Sequence, residues 1–367
     1  MKFFKFKLLL VLFSISGYAQ IQIIDNETLK GISYVEVYSS NGDLIGLTDI
    51  NGFLEESILN QIKKSKVKMV SFNHLAFDEL EISTKNLLNA SKIKLIPTNF
   101  DIDEILIKGT STKNKYIGIK GFFRSYQINN DGIKYYMDGE VIYYCPLNNK
   151  NKIENHILSH RSFVEKSKKK NISSLILMVG PPRPDLRLTL NALLKKHNTI
   201  FVDSTTFKLT QKLVDKGKIR INNPDHYTSI EVELVSKSNP KEYKLLGNHS
   251  ILEYHNGVAY YSVTDTSSLN NTNLLYHKEI RNLKFKRKKD KEFENIEAVH
   301  EFYVTKIEFL PNLKKQKKSE DFSFKRNSNY KGKYWEEFTT HKFFKQLPSV
   351  LEKAIESKLT ELKNLDH

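Results

Sequence analysis

Turn dipeptides divide this chain into strand-sized pieces. Asn41-Gly42, Asn51-Gly52, Asp131-Gly132 and Asn256-Gly257 separate apolar stretches in which alternate residues can face a core, the pattern of half-buried strands joined by tight reversals. In the first third of the chain these stretches fall at 21–24, 32–38, 44–48, 67–72, 79–82, 93–96 and 104–107, with a restart at Phe53-Leu54. Seven or eight strands at that spacing predict a β-sandwich, with no helix of convincing length between them. Farther on, 121–126 and 134–144 flank a turn at Asn129-Asn130-Asp131-Gly132 and predict a hairpin. Longer strands are expected at 227–235, 244–254, 258–264, 274–285 and 298–309, with Asn256-Gly257 as a further hairpin turn. Together they predict a broad, curved antiparallel sheet. Helices are expected at 186–196, from near Ser204 to Leu213 and Lys216, and above all in the tail at 347–364. There Leu347, Val350, Leu351, Ala354, Ile355, Leu359 and Leu362 recur at three- and four-residue steps. The expected class is mainly β with minor α.

Only buried apolar area can hold such a fold together. Cys145 is the single cysteine in 367 residues, so no internal disulfide can staple the chain. The length predicts two domains, and the charge divides accordingly. Residues 20–108 carry nine basic and thirteen acidic side chains, whereas 109–367 carry 46 and 29. That shift places a boundary near Gly109, between a domain at 20–109 and a basic, mainly antiparallel domain at 116–367.

The first nineteen residues read as an address rather than as fold. Lys2, Lys5 and Lys7 precede an apolar run from Leu8 to Ile15 and the small residues Gly17 and Ala19, the order of a secretory signal peptide. Cleavage would leave Gln20 first and remove three lysines from a formal charge of +16. The run is about half the roughly 20 residues of a membrane span. No cysteine stands at the cleavage site for lipid attachment. The expected location is the periplasm, the outer membrane surface or the medium.

Within 20–109, the succession Ile23-Ile24-Asp25, Leu29-Lys30-Gly31-Ile32, Val35-Glu36-Val37, Gly46 through Phe53, Val70-Ser71-Phe72 and Ile93-Lys94-Leu95 resembles the carboxypeptidase regulatory-like domain. The resemblance implies a transthyretin-like β-sandwich of exported bacterial proteins, closed by a strand from Asp103 to Ile107. It implies an accessory module for attachment or spacing near the outer membrane, not a peptidase. Gly121-Phe122-Phe123-Arg124-Ser125-Tyr126, then Tyr135 and Asp138-Gly139-Glu140-Val141, is similar to the opening of an uncharacterised region that follows this sandwich in exported proteins.

Candidate chemistry is sparse. His156 and His160 are four apart and would share a helix face, but Ile157 stands where a metalloprotease helix places its general base. Asp49-Ile50-Asn51-Gly52 has the oxygens of a calcium loop, yet Ile58 occupies the place of the bidentate Glu, so a turn explains it better. Cys145 could act as a nucleophile beside either histidine; its place between the apolar run 141–144 and Pro146 predicts burial instead. Asp138 and Glu140 would lie on one strand face, about 7 Å apart, a glycosidase-like spacing that many pairs share. Gly180 through Pro184 predicts a stiff surface connector. With no dinucleotide fingerprint, phosphate loop or nucleophile elbow, no cofactor, metal or catalytic residue is assigned.

The basic runs are more visible: Lys166 with Lys168 to Lys170, Arg281 through Lys291, and Lys314, Lys315, Lys317 and Lys318. Among them Lys284, Lys286, Arg287, Lys288 and Lys289 are the candidate contacts for an anionic ligand. Lysine exceeds arginine, interleaved aromatics are confined to Phe285, and export leaves little nucleic acid within reach. An anionic glycan or lipid of the cell envelope fits better than nucleic acid. The leading expectation is a non-enzymatic envelope binding protein with a protein, glycan or lipid partner; the alternative is an exported hydrolase acting on glycan or peptide.

Overall fold

The computed structural model describes residues 20–98, 106–108, 114–130, 132–147, 153–166, 195–223, 226–266, 269–312 and 326–363. The expected signal segment at 1–19, the expected connector at 180–184, Lys168–Lys170, Lys314–Lys318 and all but the last two residues of the expected helix at 186–196 lie outside the described residues.

The chain is mainly β with minor α. In the amino-terminal unit β1 (Gln22–Asp25) pairs in parallel with β6 (Lys92–Leu95). A second sheet contains β2 (Glu36–Ser39), β3 (Leu44–Leu47), β4 (Met69–His74) and β5 (Phe77–Ser83), all antiparallel, in the order β3-β2-β4-β5. Two helices, α1 (Glu56–Lys64) and α2 (Thr84–Leu88), correct the expectation of strands alone. α1 buries Ile58 and Ile62, one turn apart, in a core with Ile23, Val35, Val37 and Phe72. Nine residues hold too few periods of that stripe to declare a helix from sequence, and packing supplies the rest. Asp49 Oδ1 accepts the amides of Asn51 and Phe53, both at 2.8 Å, and Gly52 takes φ +83°. Asp49-Ile50-Asn51-Gly52 is thus a turn closed by its own aspartate.

The other strands are β7 (Leu106–Lys108), β8 (Tyr116–Asn129), β9 (Gly132–Pro146), β10 (Glu154–Glu165), β11 (Asn198–Asp203), β12 (Thr206–Gln211), β13 (Val214–Asn222), β14 (Tyr227–Val235), β15 (Lys241–Leu245), β16 (Asn248–Tyr261), β17 (Leu274–Lys286), β18 (Glu294–Leu310) and β19 (Leu359–Glu361). They form one sheet in the order β11-β12-β13-β14-β16-β17-β18-β8-β9-β10-β19, with β15 on β16 and β7 on β18. β7 is a correction: it runs parallel to β18 in the large sheet instead of closing the amino-terminal unit.

The β8–β9 hairpin turns where expected, with Asn129 opposite Gly132. One other turn and one helix are corrected. Asn256 and Gly257 lie inside β16, opposite Glu233 and Val232 on one side and Ile280 and Glu279 on the other. A strand paired on both sides there cannot reverse, and the turn falls earlier, at Leu246-Gly247. The expected helix from Ser204 to Lys216 is instead the β12–β13 hairpin, which turns at Lys212 and Leu213, both at positive φ. Its Thr206, Phe207 and Thr210 suit a pleated strand better than a helix.

The tail is corrected too. A short helix, α3 (Tyr334–Thr339), precedes α4 (Ser349–Lys358), which ends well before 364. Leu359 turns extended, β19 pairs with β10, and Leu362 N–H donates to Ser162 O at 2.8 Å.

Strand alternation gives the large sheet two different faces. One carries Phe123, Tyr143, Cys145, Phe302 and Ile307, so Cys145 is buried as its context predicts. The other carries Tyr126, Tyr254, Tyr276 and Tyr303. It packs against Tyr38, Leu44 and Leu75 of the amino-terminal unit and against Phe338, Phe343 and Leu351 of the tail.

Candidate functional site

The histidine pair is separated by a change of phase. β10 has a bulge between Ile157 and Ser159, so His156 opposes Ile142 while His160 opposes Gly139. Those partners are an odd number of residues apart, which puts the two histidines on opposite faces of the sheet rather than on one helix face. Among the described residues, no group of three or more His, Cys, Asp or Glu could hold a metal ion.

Asp138 and Glu140 do share a face, but each is engaged elsewhere. Asp138 accepts from Arg161 Nε (3.0 Å), Tyr136 OH (3.0 Å) and Tyr334 OH (2.5 Å), while Arg161 stacks 4.2 Å over Trp335. Glu140 pairs with Lys120 at 3.0 Å and accepts from Ser159 at 2.9 Å. The arrangement pins α3 to the sheet. A second polar chain lies between the sheet and the amino-terminal unit: Lys278 Nζ bridges Glu36 (2.8 Å) and Glu301 (3.4 Å), and Arg124 Nε donates to Glu301 at 2.5 Å. Burial pushes the Glu301 carboxyl up, but Arg124 and Lys278 outweigh it and hold it down at about 2. On the opposite face Ser125 Oγ lies 2.7 Å from His300 Nδ1. Both residues are 0 % exposed, and burial pushes His300 down to about 3. A nucleophile and base sealed from solvent cannot meet a substrate, so this pair belongs to the core.

Exposed chemistry gathers where β15 to β18 end. Leu245 pairs with Asn248, leaving Leu246 and Gly247 as a two-residue turn at φ +50° and +81°. Those signs are those of a type I′ turn, where Asn-Gly is favoured. Leu246 is misplaced twice, in a left-handed backbone and 91 % exposed to water. Leu245 and Tyr243 beside it are exposed as well. Lys288 lies against this turn, its side chain 3.1 Å from where a Cβ on Gly247 would stand. The β17–β18 loop and the β15–β16 turn therefore form one tip.

The five sequence-selected cations meet this tip unequally. Lys284 is ion-paired with Glu253 at 2.5 Å and Arg287 with Asp290 at 3.0 Å. Lys286 Nζ donates to Lys291 O at 2.7 Å and sits over the Phe293 ring. Lys288 and Lys289 are exposed and, with exposed Lys241 and Lys291, make no ion pair among the described residues. Lys166 is remote from the tip, donating to the carbonyls of Glu356 and Ser357 at the end of α4.

Sequence reasoning selected the cations and missed the leucines. The signal was present: two leucines run into a glycine between Lys244 and Asn248, where a turn favours polar residues. Asn256-Gly257 offered a stronger turn pattern and drew the reversal away from it. Fold and surface together define a mainly β protein with a leucine turn flanked by lysines. No protein-family model matches the chain, and no curated protein matches its sequence.

Proposed function

We propose that this protein is an exported, non-enzymatic envelope protein that docks reversibly on an anionic lipid surface through the β15–β18 tip. The observation that carries the reading is Leu246, an exposed leucine at a left-handed turn position, lying against Lys288. Local preferences are broken in this way at functional positions. Burying Leu245 and Leu246 at the headgroup boundary supplies about 2 kcal/mol each, and each free lysine near an anionic surface about 1 kcal/mol more. From 284 to 294 six cations stand against three acids, which favours an anionic over a neutral surface. Each contribution is small, so docking is reversible and sensitive to salt. The signal segment supports export, and the amino-terminal unit serves as the accessory module that its resemblance implies.

The test is co-sedimentation of the mature chain with phosphatidylethanolamine vesicles containing about one-third phosphatidylglycerol. Binding is expected at low salt and not to phosphatidylcholine vesicles. Leu246→Asn, which installs the preferred turn residue, should reduce it at least tenfold, as should joint Lys288→Glu and Lys289→Glu. Equal binding of Leu246→Asn and wild type would overturn insertion of the turn, and no binding to anionic vesicles at low salt would overturn the lipid surface as the ligand.

A further inference from the structure

A second feature lies at the base of the β17–β18 hairpin, below the tip, where the amino-terminal unit meets the large sheet and Lys284 turns its charge toward Glu253. Asp43, Gly46 and α1 on one side, and Tyr254, Asn282 and Glu297 on the other, line an open cavity of about 400 Å3. From it we infer a binding site for a small organic ammonium compound, recognised by acceptor oxygens that the described residues leave without donors.

Glu297 comes from β18 and Asn282 from the facing position of β17. Glu297 is 4 % and Asn282 2 % exposed. Glu297 Oε1 accepts from Tyr254 OH at 2.6 Å and from Asn282 Nδ2 at 2.7 Å. The same amide nitrogen donates to Asn295 Oδ1 at 2.9 Å. Its donors spent, Asn282 has an Oδ1 with no partner among the described residues, and neither Glu297 Oε2 nor Asp43 Oδ1 has one there. Buried acceptors without donors are rare in folded proteins, and two on the sheet side of the cavity, with a third on Asp43 across from them, call for a donor-rich occupant.

Charge selects the kind of donor. The wall holds four carboxyls, Asp43, Glu55, Glu253 and Glu297, against two lysines. Both lysines are engaged, Lys237 with Glu55 at 3.1 Å and over the Tyr254 ring, Lys284 with Glu253 at 2.5 Å. A primary ammonium carries three donors, one positive charge and no acceptor. It answers the unpartnered oxygens and the surplus of acid together, whereas an anion would meet unpaired carboxyl oxygen and a neutral polyol would leave the charge unmatched.

Protonation tunes the same wall. Burial raises the Glu297 carboxyl, and the hydrogen bonds from Tyr254 and Asn282 offset this only partly, leaving it at about 7. Lys237 draws it down and Glu253 pushes it up. Lys284, Glu55 and Asp43 complete the charged groups around it. An ammonium ion favours the ionised carboxylate, so binding should strengthen as Glu297 loses its proton.

The experiment is calorimetric titration of the mature chain with glucosamine and with putrescine, beside glucose and tetramethylammonium as controls. One or both amines should bind saturably, and which of them does separates an amino-sugar source from an alkylamine. The controls should not bind. Affinity should drop at least tenfold in Glu297→Gln, and in wild type between about pH 8 and about pH 5. Asp43→Asn, at the cavity rim, provides a second variant, and thermal unfolding verifies that both are folded. No heat from either amine, binding of glucose or tetramethylammonium as strong as of the amines, or unchanged affinity in both variants would overturn the assignment.

Discussion

Among the buried groups, His300, Glu301 and Glu297 tie stability to pH with different signs. His300 stays neutral in the folded chain down to about 3, whereas an unfolded imidazole takes up its proton near about 6.5. Between those values the unfolded chain binds more protons, so stability falls as the solution is acidified. Glu301, held at about 2 against an ordinary value of about 4.3, acts in the same direction in more acid solution. Its stabilisation is present above the unfolded value and lost as pH falls through the folded one. Glu297 opposes them. Its folded carboxyl keeps a proton up to about 7, so the folded chain binds more protons from about 4.3 upward and stability is lost as pH rises. Glu297→Gln keeps the shape and removes the ionisation. In urea titrations without ligand it should stabilise the protein by about 2–4 kcal/mol near pH 8, with no gain near pH 4. A gain of equal size at both pH values would show that ionisation is not the cause.

Hairpins and the tail show how far local pattern carries an element. The β8–β9 hairpin, β14, β17 and β18 were legible because period-two apolar residues and a Gly-containing turn are both local signals. The β15–β16 turn was not, because Leu246 contradicts the local preference. That contradiction can be measured. Leu246→Asn should stabilise the fold by about 1 kcal/mol while weakening lipid docking at least tenfold, since asparagine tolerates the left-handed backbone. Gly247→Ala should cost about 1 kcal/mol or more at φ +81°. Chemical denaturation reads both, and destabilisation by Leu246→Asn would remove the case for a strained turn. The tail failed differently. Leu359 and Leu362 fit the helical period, yet the open edge of β10 takes the chain as β19, and no local pattern announces a free sheet edge.

The molecule behaves as more than two modules in series. The amino-terminal unit has a core of its own, but Tyr38, Leu44 and Leu47 share a cluster with Tyr126, Tyr254 and Leu351, and Lys278 of the sheet reaches Glu36 across the seam. Removing one partner of a buried ion pair leaves the other charge uncompensated, at a cost of about 3–5 kcal/mol. Lys278→Met should therefore lower one unfolding transition followed by both far-ultraviolet and aromatic signals. Two separable transitions, with only the sheet destabilised, would show that the seam does not couple the units. Strand alternation, the shift in charge and the basic run were readable in the chain because each depends on neighbouring residues alone. Where the chain turns at Leu246-Gly247, how Lys288 comes to lie against that turn, and how Asp43 meets Glu297 around one cavity depend on residues far apart in sequence. Those contacts gain free energy only once the sheet is assembled, so nothing in their local sequence has to announce them.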